Sequence, residues 1–154
     1  RAVMPGMRER DRGRIVNMIG GGTGRPLAFA SAYAASKAAL MRFTENMAAE
    51  IDETGSAVRV FALSPGLVRT SMTEQFARDP AGRKWMGRVT ELMESGGDVP
   101  PDRAAEMVLA IAAGELDGYH GCALDSARDA GRLDELRRRP PEAVERDPRK
   151  LRFA

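Results

Sequence analysis

Arg14-Ile15-Val16-Asn17-Met18-Ile19, closed by Gly20-Gly21-Gly22-Thr23-Gly24, is the stretch on which the fold turns. Its apolar side chains fall on both alternating faces, which suits a strand covered on both sides, as in a parallel sheet. The glycines that follow penalise helix and strand alike, so residues 20–26 are predicted to be loop. Upstream, Gly13 releases the chain into the strand. Residues 1–11 read as the end of a helix, weakened by Pro5 and Gly6.

Downstream, the spacing predicts a long helix over 31–53, with Ser31 as N-cap and Gly55 as the stop. Ala34, Ala35, Ala38 and Ala39 give it high propensity and allow another backbone to come close, while Met41, Phe43, Met47 and Ile51 supply larger contacts. A second strand is predicted over 57–63, ending at Ser64-Pro65-Gly66. Residues 70–95 read as broken helix carrying Met72, Phe76, Trp85, Met86, Leu92 and Met93, which are either buried or line an apolar substrate pocket. Pro100-Pro101-Asp102 opens a further helix to Ala113, with Gly114 past its end. A weaker third strand is expected over 120–124. Residues 127–152, charged around Arg137-Arg138-Arg139-Pro140-Pro141, read as a short helix followed by a surface extension. The β-helix-β-helix-β order implies right-handed crossovers, a parallel sheet and an α/β fold class. A division into 1–126 and a charged extension 127–154 follows from the change in composition.

Bulk composition narrows the function classes. The 154 residues have the length of one domain, and an apolar fraction of 43% is that of an ordinary globular protein. Lys and Arg number 24 against 22 acidic residues, with no basic stripe interleaved with aromatics, so no nucleic-acid partner is expected. No apolar run is long enough to span a bilayer. A lone cysteine, Cys122, excludes an intrachain disulfide and makes a reducing, cytoplasmic setting the default. His120 and Cys122 are too few to hold a metal, and packing is expected of them. The chain opens on Arg1 with neither a signal nor a transit peptide, and is read as beginning in mid-protein.

The residues with chemistry in reach lie in Ser31-Ala32-Tyr33-Ala34-Ala35-Ser36-Lys37. Four residues apart on a helix, Tyr33 and Lys37 share a face one turn apart. A phenol ordinarily holds its proton to about pH 10, and a neighbouring ammonium favours the phenolate. Such a pair makes Tyr33 a candidate general acid toward a carbonyl, or base toward an alcohol. Alone, a Tyr-x-x-x-Lys spacing is weak evidence, since a solvated lysine beside a packing tyrosine has the same pattern.

The pair is not alone. Gly13-Arg14-Ile15-Val16-Asn17, Tyr33-Ala34-Ala35-Ser36-Lys37, Val58-Arg59-Val60 and Pro65-Gly66-Leu67-Val68-Arg69-Thr70 occur in an order that resembles the short-chain dehydrogenase/reductase family. The likeness runs from Arg1 to the neighbourhood of His120. It implies the C-terminal half of a doubly wound, three-layer Rossmann-like sheet and an oxidoreductase using NAD or NADP on an alcohol/carbonyl pair. By position it implies Tyr33 as acid/base and Lys37 as the ribose-holding lysine. It likewise implies Pro65, Gly66, Val68 and Thr70 around the nicotinamide, and a homo-dimer or homo-tetramer packed through the Ala-rich helix.

Two departures stand out. The serine that the family places about thirteen residues before its tyrosine falls on Gly20 here. Thr23 and Ser31 carry hydroxyls nearby, but the expected roles for them are loop residue and helix cap. The family's Gly-rich dinucleotide turn and first strands have no counterpart in these residues, and Gly20 to Gly24 lacks the spacing to replace them. A truncated or incomplete chain is therefore expected, with a catalytically inactive association or ligand-binding module as the alternative.

Overall fold

In the computed structural model, which describes residues 2–138, a three-stranded parallel sheet runs β1 (Arg14–Met18), β2 (Arg59–Ser64), β3 (Ala123–Asp125) in spatial order. β1 pairs with β2 from Arg14 opposite Arg59 to Met18 opposite Leu63, and β2 pairs with β3 from Ala62 opposite Ala123. The crossover from β1 to β2 is α2 (Ser31–Glu53). That from β2 to β3 holds α3 (Ser71–Arg78), α4 (Pro80–Trp85), α5 (Gly87–Glu94) and α6 (Pro101–Ala113). A short α1 (Met4–Glu9) precedes β1, and α7 (Ser126–Asp129) and α8 (Leu133–Arg138) follow β3.

β2 is the centre of the layers because its alternating side chains are apolar on both faces. Val60 packs with Ala48 and Ile51 of α2, and Ala62 with Met41 of the same helix. Phe61 and Leu63 point the other way, into Met107, Ala110 and Ile111 of α6. All four of these β2 residues are fully buried. Burial of side chains the size of Phe61 or Leu63 contributes about 1.5–3 kcal/mol each. The layers are helix, sheet, helix, and the fold is the α/β arrangement expected.

Several boundaries move, each for a local reason. α2 has Ala30, not Ser31, as N-cap: the Ala34 amide already donates to the Ala30 carbonyl, which makes Ser31 the first helical residue. Ladder pairing of β2 starts at Arg59, whose amide donates to the Gly13 carbonyl. β3 begins at Ala123 rather than at residue 120, because Asp117–Tyr119 forms a 3-10 turn and Gly121 takes φ +75°. The positive φ of Gly121 lies outside the strand region, so the ladder starts only beyond it. The broken helix over 70–95 resolves into three pieces, with Asp79 capping α4 ahead of Pro80. Past residue 126, Ala130 is buried and Leu133 and Leu136 pack on the α6 side of the core. The predicted surface extension beyond Arg138 lies outside the described residues. Among the described residues, no helix is long and apolar enough to cross a membrane, and no group of three or more His, Cys, Asp or Glu could hold a metal ion.

Candidate active site

Tyr33 stands in the first turn of α2 and Lys37 in the second, on the side where β1 ends. Lys37 Nζ donates to the Met18 carbonyl at 2.9 Å and lies 5.6 Å from the centroid of the Tyr33 ring. The lysine thus bridges helix and strand with one of its three donors, leaving capacity for a ligand hydroxyl. The Tyr33 side chain is 40% exposed.

The loop after β1 is shaped against this turn of helix. A Cβ on Gly20 would lie 2.5 Å from Tyr33 Oη, so the phenol oxygen occupies the space that a side chain at residue 20 would take. Gly22 has φ +86°, and a Cβ there would lie 2.5 Å from the Ala34 Cβ. Only glycine permits both the left-handed backbone and the contact. Thr23 is 4% exposed. Its hydroxyl donates to the Gly20 carbonyl at 2.7 Å and accepts from the Gly20 amide at 3.4 Å. Thr23 therefore closes the Gly20 turn, as a loop residue. Ser31 is exposed and caps nothing with its side chain.

Around the ends of β2 and β3 the backbone opens a cleft of about 330 Å³, lined by residues 19–25 with Ser64, Leu124 and Asp125. This is where an open α/β sheet takes its ligands, beyond the carboxyl ends of the strands. Tyr33 abuts the cleft at Gly20, and Pro65-Gly66 continues directly from Ser64. Gly66 has φ +78° and its amide donates to the Ser64 hydroxyl at 3.4 Å. None of Tyr33, Lys37, Pro65, Gly66, Val68 and Thr70 is itself in the lining. The Val68 carbonyl accepts from the Thr73 hydroxyl, and the Thr70 hydroxyl accepts from the Thr73 amide as the cap of α3.

Two charged lining residues, Asp125 and Arg25, escaped the sequence reading. Asp125 reaches the cleft at the end of β3 while its Oδ1 accepts from the Ala127 and Arg128 amides. An Asp followed by Ser after an apolar run is an N-cap signal, and it was the only sign available. Arg25 enters through the loop, with no signal at all. As to fit, Lys37 retains donors that could meet a ligand hydroxyl, whereas the Cβ side of Gly20 is filled by Tyr33 Oη and that of Gly66 by Val99 and Ala127.

Residues 1–81 match the family model for short chain dehydrogenase. The chain belongs to that family. Oxidoreductase UcpA of Escherichia coli is 36% identical over 121 residues, covering 77% of this chain and 43% of UcpA. The NADP-dependent 3-hydroxy acid dehydrogenase YdfG of Salmonella typhi is 43% identical over 68 residues, 44% of this chain and 27% of YdfG. Among solved structures, an actinorhodin polyketide ketoreductase with NADPH superposes with a TM-score of 0.63 at 29% identity, covering 78% of this chain and 48% of that one. The chain spans less than half the length of each of these three proteins.

Proposed function

We propose that these residues supply the proton-transferring part of an NAD- or NADP-dependent oxidoreductase that interconverts an alcohol and a carbonyl. The observation that supports it most is that Lys37 Nζ lies 5.6 Å from the Tyr33 ring centroid and bonds to the end of β1, while Tyr33 Oη abuts Gly20, one of the residues lining the cleft. Tyr33 Oη gives a proton to the carbonyl oxygen in reduction and takes one from the alcohol in oxidation. Lys37 holds its charge beside the ring and, through Met18, fixes the helix to the strand. Lys37, the Pro65-Gly66 backbone, Val68 and Thr70 would hold the nicotinamide end of the cofactor, which supplies or accepts hydride. The substrate is a small alcohol or carbonyl compound with apolar character. The protein would be cytoplasmic and assemble as a homo-dimer or homo-tetramer through the exposed Ala32, Ala35, Ala39 and Phe43 of α2.

One observation favours a second reading, a catalytically inactive relative that binds ligand or partner. Residue 20 carries no hydroxyl, and the Thr23 hydroxyl is already bonded to backbone. Loss of one such oxyanion donor typically costs about a hundredfold in rate or more. The two readings separate in an assay of these residues joined to a dinucleotide-binding half, with NADH and NADPH against a panel of small ketones and aldehydes. The oxidoreductase reading expects turnover, with Lys37→Met lowering kcat and raising KM for the nucleotide together. No turnover with either nucleotide, or turnover indifferent to Lys37→Met, contradicts it.

A further inference from the structure

The segment between β2 and α6 folds upon itself. Arg83 Nε donates to the Ala77 carbonyl at 2.7 Å, and Asp79 Oδ1 accepts from the Ala81 and Gly82 amides. Its two ends are tied together at a stem. The Arg69 guanidinium donates to both oxygens of Asp98, at 3.3 and 2.8 Å, and to the Met93 carbonyl at 2.6 Å. The Val99 amide donates to the Leu67 carbonyl at 2.7 Å. Between residues 71 and 94, only Thr90 and Met93 on α5 are buried. The segment is a flap, anchored at its stem and at one helix.

In the middle of this flap, Trp85 meets Phe29, with ring centroids 4.4 Å apart and planes tilted by 36°. The two are otherwise largely in solvent, 46% and 66% exposed. Phe29 lies two residues ahead of α2, the helix that carries Tyr33, and has φ +64°. A bulky residue in the left-handed region is held there by its surroundings, and such positions gather at clamps and switches. Here the Trp85 ring is part of what surrounds it. We infer that Phe29 and Trp85 are a clasp that fastens the flap to the entrance of α2, so that release of the flap loosens the first turn of the helix under Tyr33. Offset or tilted aromatic pairs attract beyond their buried area, by an amount equivalent to about a twofold to tenfold change in a closed-to-open ratio. That is strong enough to favour the closed form and weak enough to release.

Trp85 is the only tryptophan in the chain, so its emission reports the clasp directly. In Phe29→Ala the emission moves to the red and acrylamide quenching rises. Tryptic cleavage after Arg83 and Lys84 speeds by about twofold to tenfold, as native-state proteolysis does when opening is easier. Hydrogen exchange at the Ala34 amide, which donates to the Ala30 carbonyl in the first turn, speeds with it. Phe29→Tyr behaves as wild type. Phe29→Gly, which relieves the backbone, behaves as Phe29→Ala, because the ring is what counts. Should Phe29→Ala lose its circular dichroism, the comparison passes to Trp85→Phe, expected to cleave as wild type, and Trp85→Leu, expected to cleave faster. Wild-type emission, cleavage and exchange in folded Phe29→Ala, or equal cleavage in the two Trp85 variants, would overturn the clasp. So would faster cleavage with no change at Ala34, which would leave the flap uncoupled from the helix.

Discussion

Where the three strands begin, polar side chains lock one element to the next; where they end, the chain leaves glycines and an open cleft. At the first end the Arg14 guanidinium donates to both oxygens of Asp117, at 2.7 and 2.6 Å. Asp11 Oδ1 accepts from the Ala57 amide at 2.7 Å and the Ser56 hydroxyl at 3.0 Å. His120 reaches two elements, β2 and α2: its Nδ1 accepts from the Val60 amide at 2.9 Å, its Nε2 faces the Ala48 carbonyl at 3.3 Å, and Asp52 lies 3.7 Å away. With Nδ1 accepting, the ring proton sits on Nε2 and donates to Ala48. At the second end, Lys37 is the only one of the predicted site residues to bridge helix and strand, and it keeps donors in reserve. The contrast teaches a division of labour. One end holds the sheet together, and the other leaves a cleft at the carboxyl ends of the strands, where open α/β sheets take their ligands.

That division can be broken by substitution. The largest expected effect on stability belongs to the locked end. His120→Leu leaves the Val60 amide and the Ala48 carbonyl without their ring partner and should cost about 1–3 kcal/mol, read by urea denaturation. The same residue carries a pH signature. Burial is the main cause holding the His120 pKa below its ordinary value, against smaller opposing contributions from Asp52 and the Ala48 carbonyl. The folded protein therefore binds the proton less readily than the unfolded chain. Its contribution to stability is present above the ordinary histidine range and is lost as pH falls through the lowered pKa. Asp11, held low chiefly by the Ala57 amide, acts in the same direction in the carboxylate range. Denaturation midpoints should thus fall as pH drops below about 6.5, the ordinary histidine value. His120→Leu should flatten that decline while leaving the more acidic one. A midpoint that rises on acidification would contradict the lowered pKa of His120.

A smaller effect is expected at the open end. Gly20→Ser places a Cβ where Tyr33 Oη now sits, so either the loop or the phenol must move, at a cost of about 1 kcal/mol or more. Restoring the hydroxyl that the family carries at this position is therefore not expected to raise turnover unless the tyrosine re-seats. A gain in rate with no loss in stability would show that the phenol has room to spare. The smallest effect is at Arg14. Its pair with Asp117 is 25% and 37% exposed, and water screens it, so Arg14→Met should cost under about 1 kcal/mol by the same denaturation.

Much of this architecture is legible in the chain. The helix over Ser31–Glu53 follows from uninterrupted helix formers ended by Gly55, and α4 and α5 start where Pro80 and Gly87 interrupt the pattern. The strands are found by their two-sided apolar runs, with ends displaced by hydrogen bonds that no local pattern records, such as Arg59 to the Gly13 carbonyl. Tyr33 and Lys37 are visible as a pair because four residues make one turn. Their approach to Met18 and Gly20 is a product of packing α2 on the sheet. His120 shows the limit. Nothing near Gly121 and Cys122 says that its ring will face Val60, sixty residues away, because only strand pairing creates that neighbour.

The most direct test of the account is Tyr33→Phe, which removes one oxygen from the open end and touches nothing at the locked one. With carbonyl substrate and NADH or NADPH, the account predicts a fall in kcat of about a hundredfold or more, with KM for the nucleotide and the denaturation midpoint near wild type. Turnover kept within a fewfold of wild type would contradict it, and so would a loss of activity that tracks a loss of fold.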